Sequence, residues 1–84
     1  MTPFNQFNSS VELSTYADVW RWFNRNIVKN CTDLKENQKI YADNFNYSGM
    51  QFYKQKLKVQ ARACFLIAWW LGNSIAYGNY LAML

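Results

Sequence analysis

The chain has no histidine, and of its 84 residues only five are acidic. Histidine is the side chain most used for proton transfer near neutral pH, and it activates the nucleophile in Ser–His and Cys–His pairs. The sequence also has no phosphate-binding glycine loop, dinucleotide fingerprint or zinc spacing. The acids are scattered rather than clustered as metal ligands: Glu12, Asp18, Asp33, Glu36 and Asp43. We therefore expect no catalytic residues, no cofactor and no metal, and predict that the protein is not an enzyme.

Cysteine is equally scarce. Cys31 and Cys64 are too few for a disulfide framework, and neither belongs to a CxxC pair. The first ten residues lack the basic start and the apolar run of a secretory signal peptide. These absences predict a cytoplasmic protein in which both thiols pack as small apolar side chains.

What is present favours helices. A chain of this length builds one core, so residues 1–84 are expected to form a single domain. Apolar residues recur at steps of three and four, and alternation typical of strands is short. The pattern predicts an all-α fold, a small bundle of three to four helices at about 15–30, 33–45, 49–71 and 75–84, with an irregular N-terminal arm.

The first of these helices is the best specified. Residues Thr15 to Asp18 have the pattern of a capping box, in which each end satisfies an amide of the other. Arg21, Arg25 and Lys29 follow at four-residue steps on what we expect to be the outer face. The face expected to point inward carries Tyr16, Val19, Trp20, Phe23 and Ile27.

Two glycines are expected to mark helix ends. Asn44 to Gly49 reads as a turn, because asparagine and glycine accept positive φ and Ser48 could cap a new helix. At Gly72 we favour a break, with Ser74 capping the last helix, over a continuous helix. In the continuous alternative, a stripe of small residues would let a second chain approach closely in a homodimer. That candidate self-association stripe is Ala68, Gly72 and Ala76.

Aromatic residues make up 19% of the chain, with four Trp, six Tyr and six Phe. Sixteen rings are more than a domain of this size easily encloses, so some should lie on the surface. Exposed Trp and Tyr are the residues most enriched at binding hot spots. Our candidates for aromatic contact with a partner are Trp22, Phe52, Tyr53 and Trp70.

The net charge of +4 is uneven along the chain. Basic and acidic residues balance up to Asp43, and beyond it the only charged residues are Lys54, Lys56, Lys58 and Arg62. Lys54, Lys58 and Arg62 are four apart, so on one long helix they would line one face and repel each other weakly. An external anion would relieve that repulsion; an ordinary solvated face is the alternative.

Three functions fit these features. The first is a regulator or inhibitor that docks its basic and aromatic surface on a larger acidic protein or nucleoprotein. The second is a small basic protein that binds nucleic acid or a nucleotide through phosphate contacts and ring stacking. The third is a membrane protein anchored by the uncharged residues 63–84, although Asn73, Ser74 and Asn79 interrupt that stretch.

We take the first as the working hypothesis. Short chains without catalytic equipment are common among phage and mobile-element proteins that block a host machine. A nucleic-acid-guided defence complex is one partner of this kind.

Overall fold

Four helices make up most of the part of the chain that the computed structural model describes, residues 15–84, with a nine-residue connection after the first helix and short turns after the next two. The helices are α1 (Tyr16–Phe23, continued by a π-helical turn over Asn24–Val28), α2 (Gln38–Lys54), α3 (Lys58–Trp70) and α4 (Ser74–Ala82). The predicted all-α fold, a small bundle of three to four helices, is confirmed. The predicted N-terminal arm, residues 1–14, lies outside the described residues.

The start of α1 follows the prediction. The Asp18 amide donates to the Thr15 hydroxyl at 3.1 Å, and the Thr15 amide donates to the Asp18 carboxylate at 3.3 Å. This capping box satisfies two of the amides that a helix start leaves unpaired. At the other end the helix widens, because the Lys29 amide donates to the Asn24 carbonyl, five residues back.

The predicted turn at Asn44 to Gly49 is wrong, since α2 runs through it without interruption. Gly49 is buried in the middle of this helix, and an added Cβ would lie 2.6 Å from Cε1 of Phe65. The residue is therefore glycine because α2 and α3 pack very closely at this point, and not because the backbone needs a positive φ. Ser48 lies inside the same helix and caps nothing.

The real turn between α2 and α3 comes at residues 55–57. The Lys56 amide donates to the Tyr53 carbonyl, and the Leu57 amide donates to the Phe52 carbonyl, both at 3.0 Å. Lys56 has φ +64°, a left-handed conformation that non-glycine residues adopt at a cost of about 1–2 kcal/mol. No glycine or proline marks this turn in the sequence, which is why the prediction missed it.

The predicted break at Gly72 is confirmed. Gly72 has φ +108°, and its amide donates to the Trp69 carbonyl while the Asn73 amide donates to that of Ala68. These two bonds form a Schellman motif, which ends α3. The residue that caps α4 is Asn73 rather than Ser74, since the Asn73 side chain accepts from the Ala76 amide at 3.0 Å.

Helix α3 is the centre of the molecule and packs against both α2 and α4. Eight of its thirteen residues are buried, and Cys64 and Ile67 are fully enclosed together with Ile27 and Phe45 from the other helices. Polar side chains join α2 to the end of α3 and to α4. Gln38 donates to the Leu71 carbonyl, Asn73 donates to Asp43, and Asn79 donates to Asn46.

None of the helices within residues 15–84 combines the length and the apolar character that crossing a bilayer would require.

Candidate binding surface

The outer side of α1 forms a shallow depression that is rich in positive charge. It is lined by Ala17, Trp20, Arg21, Asn24, Arg25 and Lys29, which together we call the helix-one surface. The three cations are the ones that the sequence placed on the outer face, and the structure brings them around a single concavity. Arg21, Arg25 and Lys29 are all exposed.

These charges are only partly compensated by the protein itself. Arg21 donates to Asp18 at 3.4 Å, and most of the Arg21 side chain is in solvent. Exposed ion pairs of this kind contribute about 0–1 kcal/mol, so Arg21 can exchange Asp18 for another carboxylate at little cost. Among residues 15–84 no acid pairs with Arg25 or Lys29. Their positive charge is therefore directed at the solvent.

A half-exposed tryptophan lies beside the cations. Trp20 is 49% exposed, and its ring meets that of Trp70 edge to face, with the centroids 5.1 Å apart. Tyr16 and Phe23 contact the same Trp70 ring, each with centroids 5.4 Å away. Each aromatic contact contributes about 0.5–1.5 kcal/mol beyond burial, so Trp20 is held rigidly while part of its ring stays in water.

The exposed tryptophan of α1 is Trp20, and not Trp22 as predicted. Trp20 was expected inside and Trp22 at the surface, whereas Trp22 is 9% exposed and packs edge to face on Phe45. The inward face of α1 centres on Val19 and Phe23, and Trp22 lies one turn from Val19. Trp20 and Trp22 lie at equal angles on either side of the direction midway between Val19 and Phe23, so the helical spacing alone does not decide which of them is buried. Because Trp22 is the buried one, it is not available to a partner.

The remaining aromatic candidates differ in exposure. Trp70 is half-buried and supports the helix-one surface from below. Phe52 is also half-buried and packs on the hydrophobic core, so it offers little to a partner. Tyr53 is exposed and lines a separate groove between α2 and α4.

The second basic cluster is not the helix face that was predicted. The turn at residues 55–57 places Lys54 at the end of α2 and Lys58 and Arg62 on α3. Lys56 lies in the turn itself, exposed and left-handed. Arg62 is half-buried in a different concavity, beside Tyr16 and Tyr80. The regular four-residue spacing was lost when the helix was interrupted.

The predicted self-association stripe is also wrong. Ala68 and Ala76 are fully buried in the hydrophobic core of this chain. Gly72 is in the turn between α3 and α4, where its positive φ ends the helix. The three small residues therefore serve the packing of this chain and present no common face to another.

Elsewhere in residues 15–84, no three acidic, cysteine or histidine side chains are placed to hold a metal ion.

Burial raises the pKa of the Cys64 thiol well above its usual value, so this thiol stays protonated and unreactive at neutral pH. A hydrogen bond from the Tyr41 hydroxyl to Asp33, 3.0 Å long, raises the pKa of Tyr41 to about 12. No family model, curated protein or solved structure matches the chain.

Proposed function

We propose that the protein is a non-enzymatic regulator or inhibitor that docks its helix-one surface on an acidic face of a larger cytoplasmic protein or nucleoprotein. The observation that carries this proposal is the placement of Arg21, Arg25 and Lys29 around the rigid, half-exposed ring of Trp20. The class of partner is the one suggested in the sequence analysis: a host machine such as a nucleic-acid-guided defence complex.

The two kinds of side chain have different roles in such a contact. Arg25 and Lys29, without internal acids, attract an acidic surface over several ångströms and raise the association rate. Trp20 supplies affinity, because its ring is already fixed on Trp70 and loses little rotamer freedom on binding. Tryptophan and arginine are the residues that most often dominate measured binding energies.

The test is affinity capture from the native source with four variants of the full chain. Trp20→Ala and Arg25→Glu change the helix-one surface. Tyr47→Ala removes an exposed ring from α2, and Lys35→Glu makes the same charge reversal as Arg25→Glu at another exposed position. A true partner is retained by the wild type and by both controls, and is lost with both surface variants.

The purified partner then gives the magnitudes. Trp20→Ala should weaken binding by about 30-fold, the value of a 2 kcal/mol hot spot. Arg25→Glu should slow association and reduce its dependence on salt. The proposal fails if the two controls weaken binding as much as the surface variants, or if Trp20→Ala has no effect.

Nucleic acid is the competing outcome. If the chain binds a DNA or RNA oligonucleotide through this surface, log affinity should fall with log salt at a slope of about −3, because three cations release counterions. Nuclease treatment would then abolish the capture. That result would replace the protein partner with a nucleic acid.

A further inference from the structure

The outward side of α4 is an apolar surface that nothing in residues 15–84 covers. Ile75 is 72% exposed, Leu84 73% and Leu81 46%. Beside them the exposed rings of Trp69 and Tyr77 stack with their centroids 4.4 Å apart. We call this surface, with its small central residues, the α4 face: Trp69, Ile75, Tyr77, Gly78, Leu81, Ala82 and Leu84.

A glycine occupies the centre of the α4 face without any internal reason. Gly49 is required by the nearby Phe65 ring, and Gly72 by its positive φ. At Gly78 an added Cβ would meet no atom of residues 15–84 within 4 Å, and the backbone is helical. Glycine in a helix interior costs roughly 0.5–1 kcal/mol relative to alanine. What glycine offers at an exposed helical position is close approach by a second backbone.

The charge pattern indicates what kind of molecule approaches. From Ala63 to Leu84 the chain has no charged residue, although its net charge is +4. An acidic or basic partner would find no complement on the α4 face itself. A second copy of this chain would bring an equally uncharged face against it. At the edges of the face, Lys39 and Asp43 lie beside Ile75 and have opposite signs, whereas Lys54 lies beside Ala82 and Arg62 beside Leu84.

The exposed area of the α4 face is also consistent with pairing between two copies of the chain. Its exposed side chains present an area on the order of 600 Å², at the upper end for the largest apolar patch of a monomer. Two copies would bury about 1,200 Å², the lower limit of specific stable interfaces. We propose that the α4 face is the interface of a two-fold symmetric dimer, in which two α4 helices cross antiparallel at Gly78.

This geometry gives a definite pairing. In an antiparallel pair centred on Gly78, the residue three positions before the centre lies level with the residue three positions after it on the partner. Ile75 of each copy therefore lies level with Leu81 of the other, on the opposite side of the line of contact. We expect weak pairing, with dissociation in the micromolar range, because an interface at the lower size limit leaves little surplus over the freedom lost on association.

Sedimentation velocity of the full chain from about 1 µM to about 1 mM tests the proposal, since this range spans the expected dissociation constant. The wild type should pass from monomer to dimer. Ile75→Lys and Leu81→Glu should each weaken dimerisation at least tenfold, and an equimolar mixture of the two should restore it as a heterodimer. Ile40→Glu, which charges an exposed apolar residue on α2, should leave it unchanged.

Gly78→Ala tests whether this glycine serves the dimer interface or only the fold of the monomer. In the monomer, alanine should raise the thermal midpoint by a few degrees, because it favours the helix and meets open space. In the dimer its methyl group would hold the two helices apart, so dimerisation should weaken at least tenfold. A variant that is more stable and yet less dimeric is the expected result.

Three outcomes would overturn the proposal. A wild-type chain that stays monomeric up to about 1 mM has no such interface. A dimer that is unaffected by Leu81→Glu uses another surface. Binding of monomeric wild type to vesicles of neutral phosphatidylcholine, lost in Leu81→Glu, would assign the face to lipid. These results are independent of Trp20 and Arg25, so the failure of either proposal leaves the other standing.

Discussion

Replacing Gly49 with alanine should destabilise the fold, although alanine is the better helix former. The new methyl carbon would lie 2.6 Å from Cε1 and 2.7 Å from Cδ1 of Phe65, where ordinary contacts are 3.4–4 Å. Either the ring or the whole of α2 must therefore move by about 1 Å, and Phe65 is buried in α3 at the edge of the groove between α2 and α4. Overpacking of a filled core costs typically 1–3 kcal/mol.

The helix propensity works in the opposite direction. Alanine in a helix interior is about 1 kcal/mol more favourable than glycine. We expect the overlap to outweigh this gain, with a net loss of up to about 2 kcal/mol. Urea unfolding followed by far-UV circular dichroism measures this loss of stability. The urea concentration at the midpoint should fall, while the slope of unfolding free energy against urea stays unchanged.

A second substitution identifies the cause. Phe65→Val, whose side chain ends at Cγ, removes the ring atoms that the methyl group would strike, so Gly49→Ala should be neutral or stabilising in that background. If Gly49 were in a turn with positive φ, the loss would be the same with and without the ring. Gly78→Ala, measured at a concentration where the chain is monomeric, is the matched control and should stabilise by roughly 0.5–1 kcal/mol. A Gly49→Ala protein as stable as the wild type would refute the close packing of α2 on α3.

Three further predictions follow from single contacts. Asn73→Ala removes the cap on the Ala76 amide, so unfolding should become easier by about 1 kcal/mol and the thermal midpoint should fall by about 4–8 °C. In the native protein a thiol reagent should modify the partly exposed Cys31, and should reach buried Cys64 only as fast as the core opens. Because the pKa of Tyr41 rises from 10.0 to about 12 on folding, its contribution to stability is complete below pH about 10 and is lost as the pH rises towards 12. In Tyr41→Phe this loss of stability at high pH should be absent, and the tyrosinate absorbance should lack its step at the highest pH.

The features that the sequence predicted correctly have their causes within a few residues. The capping box from Thr15 to Asp18 is complete in four consecutive residues. The break at Gly72 needs only a residue that accepts positive φ, followed by an asparagine that can cap the next helix. Local patterns of this kind can be read without knowing what packs against them.

Most of the features that were missed have their causes elsewhere in the chain. Gly49 looks like a turn residue, because the Phe65 ring that explains it lies on another helix. The turn at Lys56 is held by two local backbone bonds, but a lysine occupies the left-handed position where glycine is usual, so no residue type signals it. Whether Trp20 or Trp22 is exposed depends on the positions of Trp70 and Phe45, to which they are joined only by the fold.

The two proposed surfaces bind by different forces, so the dependence of binding on salt concentration distinguishes them. Contacts of Arg25 and Lys29 with an acidic partner weaken as salt is added, because screening removes the long-range attraction. The α4 face has no charge, so its pairing depends on apolar burial, which sulfate and phosphate strengthen. A dimer also presents two helix-one surfaces, and two linked contacts to one large partner hold more tightly than either does alone. Leu81→Glu, which leaves every residue of the helix-one surface in place, should therefore weaken capture by a partner with repeated acidic sites more than capture by a partner with one.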